Sequence, residues 1–233
     1  LLKLSVDSVF FESELSTYSY NNILLKVDAP MNLQVGTNYK VTVYYQGKPT
    51  TSSSGFGGFY FEDGIAYNLG IGLTDDPHNY GRSWFPCFDN FVERSTYTYR
   101  IITTNNITSY SVGALESDEE FDSESRIRTF RMNQIIPTYL SAIAASTYTV
   151  HEYIHNAVYG DLPVQLISKP ADQANVKSSF RNLNSAVDAL ESWYGKYPFE
   201  RVGYVMTTRG AMEHPNCIAF PVSSTNGGGE ARR

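Results

Sequence analysis

Cysteine is almost missing from this chain of 233 residues, which holds two, Cys87 and Cys217. They form no CxxC pair, and two cysteines cannot build a disulfide framework. Two buried thiols is the simplest reading. Charge is also sparse, at 18% of residues, and the net charge is −6 with no basic stripe. That argues against nucleic acid or an anionic membrane as partner. No apolar run approaches the roughly 18 residues needed to span a bilayer. The opening Leu1-Leu2-Lys3-Leu4-Ser5-Val6 alternates like a strand and is unlike a signal peptide. It begins in mid-pattern, as though strands preceded it. There is no internal repeat and no low-complexity tract. Few lysines beside many Ser, Thr, Asn and Tyr lean towards an extracytoplasmic protein.

Hydrophobic residues make up 42% of the chain, enough for one large domain or two small ones. The 18 Tyr and 13 Phe tilt it towards β-structure. Alternation predicts strands at Ile23–Val27, Tyr39–Tyr45, Thr96–Thr103, Thr108–Val112 and Arg126–Met132. Gly58–Phe61 and Ile65–Leu69 flank Glu62-Asp63-Gly64 and read as a hairpin. Ser117–Glu124 reads as an acidic, solvated turn.

One segment has a different period. Val176, Phe180, Leu183, Ala186, Val187 and Leu190 recur at three- and four-residue spacing. They predict a single helix from Asp172 to Trp193, with Asp172 as N-cap and Gly195 and Pro198 ending it. The chain therefore divides into a β-domain, residues 1–168, and a second unit, residues 169–233, opening with that helix.

Two motifs carry possible chemistry. His151-Glu152-Tyr153-Ile154-His155 has the H-E-x-x-H spacing that on a helix sets two zinc ligands and a general base on one face. Here the neighbours are β-branched and aromatic, and in a strand Glu152 points away from both histidines. A third ligand is missing too, since the spaced positions hold Ala174, Val158 and Asp161. The motif reads as a coincidence on a strand.

The second motif is Arg209-Gly210-Ala211-Met212-Glu213-His214, set between the apolar runs Val202–Met206 and Cys217–Phe220. A glutamate behind a Gly-Ala pair presents a carboxylate and bare backbone amides to a ligand.

In order along the chain, several segments resemble the aminopeptidase N family of zinc exopeptidases, which includes leukotriene A hydrolase. They are Gly81-Arg82-Ser83-Trp84-Phe85-Pro86-Cys87-Phe88-Asp89, Glu93-Arg94-Ser95-Thr96-Tyr97, Pro137-Thr138-Tyr139-Leu140, Tyr194-Gly195-Lys196-Tyr197-Pro198-Phe199 and Gly210-Ala211-Met212-Glu213. The resemblance covers about residues 30–222. It implies a mainly β fold: an N-terminal β-saddle, then the first α/β part of a thermolysin-like catalytic domain.

The resemblance assigns substrate binding to Gly210, Ala211, Met212, Glu213 and His214, with Glu213 taking the free α-amino group of a peptide. The fifth motif residue is Asn in most of the family. His214 stands there instead, a hydrogen-bond donor that would titrate near neutral pH. Arg82, Trp84 and Asp89 are assigned to packing. The family's zinc motif follows the exopeptidase motif, so it is expected beyond Arg233. Zinc then belongs to the intact enzyme, with no metal or catalytic residue in this chain. Asn226–Arg232 reads as a mobile loop leading there. The rival readings are a non-catalytic β-rich binding or scaffold module, and a small zinc protease using His151, Glu152 and His155.

Overall fold

The computed structural model describes residues 1–225, and Asn226–Arg232 lies outside the described residues. The described residues form sixteen strands and two α-helices. The first five strands are β1 (Ser5–Phe11), β2 (Glu14–Leu15), β3 (Tyr18–Tyr20), β4 (Leu25–Val27) and β5 (Val41–Gln46). They form a three-stranded sheet ordered β2-β1-β5 and a small β3–β4 ribbon.

Next come β6 (Gly58–Glu62), β7 (Ile65–Leu69), β8 (Arg94–Thr104), β9 (Thr108–Ser111), β10 (Ala114–Asp122), β11 (Ser125–Pro137) and β12 (Ile143–Ser146). One sheet is ordered β10-β11-β8 and another β6-β7-β12-β9. The β6–β7 hairpin closes where Glu62 pairs Ile65, with Asp63 at φ 50° and Gly64 at φ 69°. Two successive positive-φ residues match the right-handed twist of the flanking strands, as the Asp-Gly pair requires.

The last sheet holds β13 (Thr149–Ala157), β14 (Gly160–Ser168), β15 (Val202–Thr207) and β16 (Ile218–Pro221), in that order. β13 and β14 are antiparallel, while β14–β15 and β15–β16 are parallel. The parallel β14–β15 step needs a crossover, supplied by α1 (Gln173–Ser179) and α2 (Leu183–Tyr194). The β13–β14 hairpin, which precedes residue 168, thus shares its sheet with elements that follow it.

Two expectations are corrected. The acidic turn at Ser117–Glu124 is mostly strand β10, and only Ser123-Glu124 makes the turn. Its carboxylates face arginines across the ladder: Asp118 lies 2.7 Å from Arg126 and 3.3 Å from Arg128. Opposite charges on facing strands favour pairing, which outweighs the low β-propensity of Asp and Glu.

The single helix is two helices, broken at Phe180-Arg181-Asn182. Phe180 drops onto Tyr204 and Phe220, with ring centroids 4.6 and 5.4 Å away. Val176 and Val187 are buried as the stripe predicts, but Leu190 is 59% exposed. Asp172 occupies the N-cap position without a side-chain capping bond, and Gly195 ends α2 at φ 89°.

A large core runs through both parts of the chain. Tyr67, Leu69, Phe130 and Met132 from the early sheets meet Val205, Met212, Cys217 and Ala219 from the late ones. Packing of this kind fixes the late segment against the early sheets as one body.

Candidate functional site

β15 and β16 are parallel neighbours, so the chain must return the length of the sheet between Thr207 and Ile218. It does so without a helix. Residues 208–217 run back along β16, and Met212 pairs Ala219 as an antiparallel bridge. Met212 donates its N–H to Ala219 at 2.9 Å, and its carbonyl accepts the Ala219 N–H at 3.1 Å. The motif thereby becomes the outer edge of the last sheet.

Along that edge the side chains alternate as in a strand. Met212 and His214 are buried, at 3% and 1% exposure, while Ala211 and Glu213 face out. The backbone groups of Ala211 and Glu213 must point away from β16, because Met212 uses the inward side. Among the described residues neither makes a backbone hydrogen bond. An open ladder edge and an exposed carboxylate therefore lie together.

Gly210 supplies the bend into this edge, at φ +90°. A Cβ there would sit 2.9 Å from both Leu69 methyl carbons, so a side chain would be strained by the positive φ and would push Leu69 aside. The preceding Arg209 is held from the early sheets. Its Nε donates to the two Glu62 oxygens at 2.9 and 2.8 Å, and its guanidinium lies 5.4 Å from the Tyr60 ring centroid. Glu62 also accepts the Thr208 hydroxyl at 2.9 Å. Hydrogen bonding from Arg209 holds the Glu62 carboxyl below its usual range.

The far end of the segment is clamped by Asn216 and Arg201. Asn216 is fully buried at φ 47°, a conformation Asn tolerates better than most residues. Its Oδ1 accepts the Gly113 N–H at 2.9 Å, and its Nδ2 donates to Glu200 at 2.7 Å. Arg201, 7% exposed, donates to the carbonyls of Gly113 and Ser111. These residues carried no sequence signal, because Gly113 and Ser111, which they clamp, lie 88 to 103 positions away.

His214 departs from expectation. Both ring nitrogens are buried and unpartnered among the described residues, and burial pushes its pKa down to about 3. It stays neutral near pH 7, since a desolvated imidazolium with no partner is costly.

His151, Glu152 and His155 lie in strand β13. His155 Nε2 sits 2.7 Å from Asp188 Oδ1 of α2, and Glu152 accepts from Gln165 at 3.2 Å on the opposite face. Among the described residues no three His, Cys, Asp or Glu side chains gather as a metal site. Cys87 and Cys217 are free thiols, with Cys217 fully buried and Cys87 partly so. Burial raises them to about 12 and about 11 respectively. Arg82 pairs Asp89 at 3.0 Å, Asp89 also accepts from Thr138 at 2.8 Å, and Trp84 packs against Phe85.

The chain belongs to the peptidase M1 family: the model of the Peptidase M1 N-terminal domain matches residues 4–140. Glutamyl aminopeptidase of Rattus norvegicus is 23% identical over 187 residues, covering 78% of this chain and 19% of the relative. The chain thus spans about a fifth of that curated relative's length.

Among solved structures, a two-domain M1 zinc metallopeptidase mutant bound to L-tryptophan superposes with TM-score 0.82 at 19% identity, covering 96% of this chain and 52% of that one. Legionella pneumophila aminopeptidase A in complex with aspartic acid superposes with TM-score 0.78 at 17% identity, covering 94% of this chain and 26% of that one. At these identities the likeness shows the fold.

Proposed function

We propose that the intact protein is a zinc-dependent aminopeptidase and that this chain supplies its N-terminal domain and its substrate amino-group site. Residues 1–168 form the N-terminal β-domain and residues 169–233 open the catalytic domain, the last sheet joining the two. The zinc would be held by residues other than those described. The amino acids bound by the two solved relatives support a site for the end of a peptide.

The observation that carries this reading is the edge at Ala211–Glu213. An extended peptide adds to an open ladder edge through main-chain hydrogen bonds. The Glu213 carboxylate, exposed beside that edge, suits a charge-assisted bond to a terminal ammonium. Gly210 and Ala211 leave room for the substrate backbone, while Met212 and His214 anchor the edge from beneath.

The test is hydrolysis by the full-length protein of an aminoacyl anilide with a free amino group and of its N-acetylated form. The proposal expects cleavage of the first alone. Equal cleavage of both, or of neither, would overturn it. The 233-residue chain by itself is expected to be inactive.

A further inference from the structure

A pocket of about 550 Å³ opens beside Arg209, lined by Lys3, Lys48, Thr50, Ser52, Gly55, Glu62 and Arg209, with Phe59 and Tyr60 among its walls. The chain as a whole is acidic, at −6, yet this lining holds three cations against one carboxylate. That carboxylate is already engaged: Glu62 binds Arg209 at Nε, Thr208 and Tyr67. Neither Lys3 nor Lys48 has an acidic partner among the described residues.

The geometry of Arg209 is the more specific observation. Glu62 grips it from the side, through Nε, and the Tyr60 ring lies against its face. Its two terminal amino groups, the prongs that bind a carboxylate in parallel, have no partner among the described residues. One of them lies toward Gly55 on the pocket wall, 3.4 Å from where a Cβ would stand. The Thr50 hydroxyl in the same wall is buried and unpartnered, which is costly unless a ligand or water satisfies it.

We infer that this pocket binds a carboxylate, and specifically the acidic side chain of a short peptide, with Arg209 forking the carboxylate and Lys3 and Lys48 supplying its field. That the peptide is the substrate rests on the reading of Glu213 above. The pocket does not depend on it, because Arg209 and the lysines lie apart from the amino-group site in role.

The experiment titrates the isotope-labelled 233-residue chain with N-acetyl-glutamate amide and with N-acetyl-glutamine amide, following backbone NMR shifts at low salt. Neither probe has a free amino group, so the result is independent of whether Glu213 binds one. The glutamate probe should shift Thr50, Ser52, Gly55 and Arg209, and the glutamine probe should not. Joint Lys3→Ala and Lys48→Ala substitution, at two exposed positions, should weaken binding roughly fivefold, while Lys48→Arg retains it. Raising the salt should weaken it as well. No shift at these residues, equal shifts from the glutamine probe, or equally tight binding of inorganic phosphate would each overturn the inference.

Discussion

Met212 and Ala219 exchange two backbone hydrogen bonds, at 2.9 and 3.1 Å. This one bridge turns a crossover loop into the edge of a sheet, and with it sets which side of the motif faces out. If the register slipped by one residue, Glu213 would turn inward and Met212 outward.

Gly210 makes that register reachable. Gly210→Val should destabilise the chain by roughly 2 kcal/mol or more, from a positive φ and a clash with Leu69. Chemical denaturation of the two proteins checks it. A change below about 0.5 kcal/mol would show that the bend tolerates a side chain.

His214 makes stability depend on acidity. Its pKa falls from 6.5 in the unfolded chain to about 3 in the fold. The unfolded chain then binds the extra proton, so stability from this group is complete above about pH 6.5 and is lost as pH falls towards about 3. The loss is of the order of 2 kcal/mol by about pH 5. Melting temperatures across this range should fall more steeply for the native chain than for His214→Gln. Parallel curves would contradict the assignment.

Arg201 ties the late segment to the turn before β10. Arg201→Met should leave the Ser111 and Gly113 carbonyls without donors and cost about 3 kcal/mol. Thermal unfolding reads the loss, and an unchanged midpoint would show that the clamp is dispensable.

His155 is occupied by Asp188, and Glu152 faces the other way. Dialysed against metal-free buffer, the 233-residue protein should therefore retain close to no zinc. Retention of about one zinc per chain, lost on His151→Ala or His155→Ala, would make the strand motif a true metal site.

Much of this organisation was legible in the sequence, and the remainder was not, for physical reasons. Alternation located β5, β8, β9 and β11, and Asp63-Gly64 declared its hairpin, because a side-chain period and a turn are local properties. The break between α1 and α2 was hidden, because it depends on Phe180 finding Tyr204 and Phe220. The strand character of Ser117–Asp122 was hidden behind its charges, which only the arginines of β11 explain. Glu213 could be singled out by its motif, but the burial of His214 and the roles of Asn216 and Arg201 arise from contacts distant in sequence.

The central claim is that the Glu213 carboxylate holds the amino terminus of a peptide. Steady-state kinetics of the full-length protein and its Glu213→Gln variant, on an aminoacyl anilide, test it most directly. The account predicts that KM rises and kcat/KM falls roughly 10- to 100-fold, the weight of one charge-assisted hydrogen bond. Unchanged kinetics in the variant would contradict it.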